Sequence, residues 1–510
     1  MNFYPKAKER RVSVSEPALR KSRFAFLRTT ALFGLLLTLL FLSLFSYIFG
    51  ALYQQTDHIH NLNVAFVDYD GGLIGTAVRQ AYRELSGDGF PTLIEHSPSQ
   101  YSQPSSLRSA VCNIDYWGAL YVSTDASSRL STALTNAEAA SSYNRTDVLT
   151  WIWNQARYPT VVDSLTQDIQ TLADATRLAY VQLNGTGAIQ SLDATDSAAV
   201  AVFSHPWELT SINIQPTSQG SRLIYNTLVI ILILIQEFFF LGTVNGLYAQ
   251  FGLFGRINAK RMIIFRSIIS STYALAGAAC VTGAIWAFRA DWNVDGNQWA
   301  LTWITLWLFG HLNFLTLDVL AVWLPPPYVP MGLISWVVLN VASILLPFEL
   351  SPAFYKWGHA LPAHACYNTL IDIWSGGCNP QLSSTLPVLF AYEISSGILS
   401  AIGVYRRAHY AVVTAEREES AWQEKVQKAV SECSKKPQPE VTKMEIDDKT
   451  RFSPDRDVEF EGPAHRVTSI GNLPDREELA GRIWQATSQM TIEQAASRRK
   501  DSIGPSFSLR

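Results

Sequence analysis

The apolar residues of this chain cluster in blocks. A helix needs about 20 mostly apolar residues to cross about 30 Å of hydrocarbon. Six blocks meet that length: residues 31–53, 223–249, 262–288, 298–324, 328–347 and 386–404. The pattern predicts one span, a long polar stretch, then five spans. The first block carries no charge and follows a basic lead of 30 residues. At about 23 residues it exceeds the roughly 7–15 of a signal-peptide core, so it reads as a retained anchor.

The polar stretch, 54–221, has its own rhythm. Strand-like runs at 63–67, 92–95 and 116–122 alternate with helical runs at 76–85, 105–111 and 124–135. That alternation predicts an α/β unit built on a sheet. Ser105 or Ser106 is expected to cap the second helix. Residues 147–183 read as a helical arm, and 204–222 as an irregular lead into the second span. After the last span, 416–430 is expected to continue as a helix. A further short helix is predicted at 475–490 within an otherwise disordered tail.

Charge orients this layout. Charged residues make up 16% of the chain, against about 25% in soluble domains. Basic residues flank the spans at Lys6, Lys8, Arg10, Arg11, Arg20, Lys21, Arg23 and Arg28, at Arg256, Lys260 and Arg261, and at Arg406 and Arg407. With six spans all three groups fall on one side, the expected cytosolic side. Residues 54–221 then face outward or into a lumen. They hold 16 acidic residues against 7 Arg and no Lys, a net charge of −9. Two glycosylation acceptors, Asn144 and Asn184, lie there. Cys366 and Cys378 fall on the same side, either as a disulfide or as two free buried thiols. The tail, 405–510, balances 18 basic against 18 acidic residues. Ser13, Ser453 and Ser502 sit in short phosphorylation-like contexts.

The stretch after the first span, Ala65-Phe66-Val67-Asp68-Tyr69-Asp70-Gly71-Gly72, resembles the first motif of haloacid-dehalogenase-type phosphatases. Such an enzyme also needs a phosphate-holding Lys or Arg, a Ser or Thr at a strand end and further acidic metal ligands. The domain has no Lys, and Gly72 stands where a Thr is usual. The favoured reading is a turn into a helix, with Asp68 or Asp70 capping helical N–H groups. P-loop, His-Glu-x-x-His, Gly-x-Ser-x-Gly and Cys-x-x-Cys motifs are absent from the sequence. The chain is therefore expected not to be an enzyme, and to use no cofactor or metal.

Polar side chains inside spans are costly and face a bundle interior or cavity. Gln236, Glu237 and Asn245 lie in the second span, His311, Asn313 and Asp318 in the fourth, Asn340 in the fifth and Glu393 in the sixth. Glu237 and Glu393 either line a polar path or bond neighbouring helices. His311 reads as structural, and with Asp318 two turns on it defines a stripe. Arg266 is expected to snorkel to the cytosolic interface. The aromatic, proline-bounded stretch 347–374 is expected in the outer membrane interface.

Three stretches carry a family resemblance: residues 64–72, residues 115–122 and, most specifically, residues 339–364. The chain resembles the fungal nitrosoguanidine-resistance family, a domain-of-unknown-function group related to ABC-2-type permeases. The resemblance spans about 31–405. It implies an ABC-2-permease-like, polytopic α-helical membrane protein of six transmembrane helices (1+5), with a large α/β extracytoplasmic domain between helices 1 and 2. The expected parts are a cytosolic lead (1–30), helix 1 (31–53), the outer domain (54–221), a five-helix domain (222–404) with an interfacial segment (347–385), and a cytosolic tail (405–510). The resemblance also implies resistance to toxic chemicals and a role in plasma-membrane phospholipid asymmetry. Membrane lipids and small amphipathic drugs are the expected partners, and nucleic acid is not. A homodimer fits the layout, and an ATPase partner is left open. The alternative is a non-transporting regulator or scaffold.

Overall fold

The computed structural model describes Pro17 and residues 20–217, 227–289 and 292–434. The lead through residue 16, Ser13, Ser453, Ser502 and the helix expected at 475–490 lie outside the described residues. The described chain is mostly helical and contains one five-stranded sheet. It divides into two compact units, residues 1–244 with 260–403, and residues 245–259 with 404–510.

The first unit begins with α1 (Arg20–Ala51) and a 3-10 turn (Gln55–Asn61). The sheet domain follows as β1 (Asn63–Asp68), α2 (Leu73–Leu85), β2 (Thr92–His96), α3 (Pro104–Cys112), β3 (Gly118–Val122), α4 (Ala126–Thr135), α5 (Ala137–Ser142), β4 (Leu149–Trp153), α6 (Pro159–Ser191), α7 (Ser197–Ser204) and β5 (Leu209–Asn213). The strand order is β2-β1-β3-β4-β5, with only the β3–β4 pair antiparallel. Successive side chains point to opposite faces. Val64, Phe66, Leu120, Val122, Leu149 and Trp151 share a core with α2, α4 and α6. Ala65, Val67, Ala119 and Ile152 form a smaller one with Leu107 and Val111 of α3.

Trp151 is fully buried, and Gly118 lies diagonally from it on β3. A Cβ at Gly118 would collide with the Trp151 indole. The indole N–H donates to Thr166 Oγ1 at 3.1 Å, which fastens α6 to the sheet.

Several expectations change here. The arm expected at 147–183 starts with a strand: its Leu-Thr-Trp-Ile-Trp run pairs with β3 and β5 as β4, and α6 begins only at Pro159. The irregular lead contains β5. No serine side chain caps α3. Gln103 is its N-cap, Pro104 needs no N–H partner, and the Ser106 hydroxyl donates to the Gln103 carbonyl at 2.6 Å.

Five further long helices follow β5: α8 (Val229–Gln250), then, after the short α9 (Leu253–Arg256), α10 (Ala259–Ala287), α11 (Gly296–Trp323), α12 (Val329–Leu345), and, after α13 (Pro362–Trp374), α14 (Leu382–Ser434). Six stretches are long and apolar enough to cross a membrane: Arg20–Ala51, Val229–Gln250, Ala259–Ala287, Gly296–Trp323, Pro326–Leu345 and Leu382–Ala429. α1 exposes Leu and Phe nearly all round, as a lipid-facing helix does. The helix expected at 416–430 is the far part of α14.

The segment expected in the interface splits into two behaviours. A 3-10 stretch, Ala353–Ala360, exposes Phe354 and Trp357, and Tyr47 of α1 rests against Phe354, Tyr355 and Trp357. Aromatic clusters of this kind suit a membrane interface. By contrast α13 is buried on nearly every side. It is a core helix, because it packs on α11 and α12 and meets the sheet domain through Tyr158 and Tyr367, whose rings lie 4.7 Å apart.

Neither alternative for Cys366 and Cys378 holds in full. Cys378 pairs with Cys112 at the end of α3, and Cys366 stays free and buried in α13. Cys378 sits just past two glycines in left-handed backbone, Gly376 and Gly377, a turn that follows the end of α13.

In the second unit, Gly252 takes φ 59° at the start of α9. Tyr248 packs edge-on against Phe254, whose ring also lies beneath the Arg407 guanidinium at 5.6 Å.

Candidate functional site

The polar residues of the membrane helices converge where α10, α11 and α14 meet. His311 Nδ1 lies 2.7 Å from Glu393 Oε1, and His311 Nε2 lies 3.2 Å from Ser270 Oγ. Seven residues further along both α11 and α14, Asp318 and Ser400 repeat the arrangement. The Ser400 hydroxyl donates to Asp318 Oδ2 at 2.6 Å, and Arg266 Nη2 pairs with Asp318 Oδ1 at 2.8 Å. Between the tiers the Thr316 and Ser396 hydroxyls bond at 2.9 Å. A seven-residue step is two helical turns, so each helix offers both tiers from one face.

The tiers differ in solvation. Asp318 is fully buried and Arg266 nearly so, whereas His311 and Glu393 keep partial exposure. Arg266 therefore does not snorkel to an interface. Asp318 is close enough to neutralise it inside the bundle, where an unpaired charge is costly. His311 and Asp318 share one face of α11, and each is bound to its own partners.

Glu237 of α8 is buried, and among the described residues its Oε2 has no hydrogen-bond partner. It lies against α11, where a Cβ at Gly310 would sit 3.3 Å from Glu237 Oε1. Gln236 packs over Gly277 of α10, where any Cβ would collide with its amide. One turn on, Phe240 stacks on Tyr273 at 3.6 Å. Glu393 Oε2 is also without a partner. Two buried carboxylate oxygens thus remain able to accept an ammonium, a hydroxyl or a proton. Asn245 is buried further along α8, in the second unit.

Asn313 and Asn340 tie helices together. Asn313 Oδ1 accepts from Trp336 Nε1 of α12 at 3.0 Å, and Asn340 Oδ1 accepts from the Ala363 N–H of α13 at 3.1 Å. Sequence reasoning missed Ser270, Ser396 and Ser400. Their spacing from Arg266 and Glu393 was the available signal, but a serine in a span is too common to single out. It also missed a histidine cluster. His364 Nδ1 donates to the Ser343 carbonyl at 3.2 Å, leaving Nε2 to accept from Asn368 Nδ2 at 3.1 Å. Burial and then neighbouring His359 push His364 down to about 4.

The Asp-x-Asp-Gly turn is fully engaged. Asp68 Oδ1 accepts the Asp70 and Gly71 N–H groups, and Oδ2 takes Arg79 at 2.8 Å. Asp70 accepts the Gly72 N–H, the Ser127 N–H and the Ser127 hydroxyl. Neither aspartate caps α2 directly. Ser127 Oγ accepts the Ile74 N–H at 3.1 Å, so Asp70 acts through it. A Cβ at Gly75 would collide with the Asp68 carboxylate.

Asn144 is exposed in a loop, with its Oδ1 accepting from Thr146 Oγ1 at 2.7 Å. Asn184 lies inside α6, half-buried, and its amide donates to Tyr180 Oη at 3.3 Å. The surface loop that a glycosylation acceptor calls for is thus present only at Asn144.

Residues 33–398 match a family described as protein of unknown function, DUF3533. Over 410 residues the chain is 20% identical to an uncharacterized endoplasmic reticulum membrane protein of Saccharomyces cerevisiae, covering 71% of this chain and 76% of that protein. No solved structure matches.

Proposed function

We propose that this chain, a membrane protein that belongs to the DUF3533 family of proteins of unknown function, is permease-like and moves amphipathic molecules or sets the leaflet distribution of phospholipids. The two-tier ladder of His311, Glu393, Arg266 and Asp318 carries the reading. Charged groups kept inside spans mark pathways more often than they serve stability. The orphaned oxygens of Glu237 and Glu393 give polar headgroups or cationic drugs something to bind. The order of one span, a sheet domain and five spans supports kinship with nitrosoguanidine-resistance proteins and ABC-2-type permeases.

The reading assigns no catalysis to Asp68 or Asp70, whose four carboxylate oxygens already accept hydrogen bonds. It places the sheet domain outside the cytosol, supported by the Cys112–Cys378 disulfide. Both the plasma membrane and an endomembrane suit that placement. The yeast relative, named as an endoplasmic reticulum protein, favours the latter.

The test is movement of fluorescent phospholipid between leaflets of proteoliposomes containing the full chain. Wild type should move lipid, and Glu237→Gln or Glu393→Gln should slow it about tenfold or more. Full activity in both variants would remove the polar path. No movement by wild type would leave a scaffold or regulator as the better description.

A further inference from the structure

Most paired arginines of the sheet domain meet a carboxylate. Arg79 meets Asp68 and Glu95, Arg129 meets Asp147, and Arg177 meets Asp174. Arg157 differs. It is half-buried in the turn between β4 and α6, and no carboxylate among the described residues lies within ion-pair distance. Its guanidinium stacks on the Trp117 ring at 3.8 Å, and Nη1 donates to the Tyr116 carbonyl at 3.3 Å. Stacking fixes the plane of the fork, and a guanidinium has five N–H donors, so most remain available. Burial pulls the group below its ordinary range, with Glu349 and Tyr158 opposing from a distance. A cation held in such a place with no carboxylate in direct contact is stabilised when an anion joins it.

Two neighbouring features point to the same ligand. Tyr158, next in sequence, is 6% exposed, and its hydroxyl has no partner among the described residues. Tyr158 is also the N-cap of the 33-residue α6, where no side chain caps the helix. A helix N-terminus carries partial positive charge and favours an anion.

The location names the source of that anion. Glu349, whose charge acts on Arg157 through space, accepts from Asn61 Nδ2 through its carbonyl, and Ser351 donates to the Ala51 carbonyl at the last turn of α1. The aromatic cluster of Tyr47, Phe354, Tyr355 and Trp357 lies alongside. Through Glu349, Arg157 is thus linked to the segment that meets the last turn of a candidate span.

We propose that Arg157 binds the phosphate of a phospholipid headgroup where the sheet domain meets the membrane. The site deepens the permease reading and rests on it for its membrane setting. Binding can nonetheless be measured without transport, so the two can fail separately.

The full chain, purified in an uncharged sugar detergent, is titrated with dihexanoylphosphatidic acid, dihexanoylglycerol and inorganic phosphate. Phosphatidic acid should bind saturably and the phosphate-free glycerol should not. Arg157→Gln should weaken binding about tenfold or more, and exposed Arg108→Gln should leave it unchanged. Equal affinity in Arg157→Gln overturns the site. Inorganic phosphate binding as tightly as phosphatidic acid, with the same loss in the variant, overturns the lipid assignment. Wild-type protein supplies a second readout that needs no variant. Phenylglyoxal labelling of Arg157, read by mass spectrometry, should fall with phosphatidic acid and not with dihexanoylglycerol. Undiminished labelling also overturns the proposal.

Discussion

Arg79 and Arg266 each hold an aspartate at 2.8 Å, one in the sheet domain and one among the membrane helices. Arg79 is one-third exposed and shares its charge with Glu95 at the rim of the sheet. Arg266 and Asp318 are both buried, with Ser400 as a third member. Water can rescue the first pair if one partner is lost. The second pair lies away from water. The sheet domain is therefore held mainly by apolar faces and tolerates charge at its edges. The helices are also joined at a few polar points whose members depend on one another.

The strongest way to break this contrast is Asp318→Asn. It removes the carboxylate that Arg266 pairs with inside the bundle, and should cost roughly 3–5 kcal/mol, read as a lower unfolding temperature in detergent. The Arg266→Leu, Asp318→Leu double variant should recover much of that loss. If the single and double variants are equally damaged, the ladder does not behave as a coupled unit. A middle-sized effect belongs to His364, near where the two regions meet. Its ordinary value of 6.5 falls to about 4 in the folded chain. The folded form resists protonation, so stability is full above 6.5 and is lost as pH falls through that window. The expected loss from pH 7 to 5 is about 2 kcal/mol. His359 shifts the same way, while buried Asp372, raised, works against it. His364→Gln should flatten the dependence, and an unchanged slope would exclude His364 as its source. The smallest effect is expected for Arg129→Ala, whose partner Asp147 is well exposed. That change should cost only about 0.2–1 kcal/mol. A loss as large as that of Asp318→Asn would erase the distinction between the regions.

The same contrast explains what could be read from the sequence. Spans are local: length and apolarity suffice, and all six blocks correspond to long helices. β1 and β3 were also legible, each bounded by turn residues. β4 was read as helix because its five residues sit between helical patterns. Its identity depends on partners far away, β3 upstream and β5 near residue 210. The ladder was half legible. Spacing placed His311 and Asp318 on one face of α11, but periodicity cannot say which residue of another helix meets each. Arg266 and Ser400 were thus missed as partners of Asp318, and Cys112 was missed as the mate of Cys378. Arg157 gave no signal, because nothing in the chain announces a missing carboxylate.

The Cys112–Cys378 bond also has a place in time. Its two sulfurs are separated by 266 residues, and every helix from α4 through α13 is made between them. A growing chain can build α3 and pair β1 with β2 long before Cys378 exists. Until then Cys112 has no native mate. Closure of this covalent ring therefore comes late in the making of the molecule, after five of its six candidate spans have been synthesised. A finished bond is a chemical record that the late-made turn after α13 has found α3.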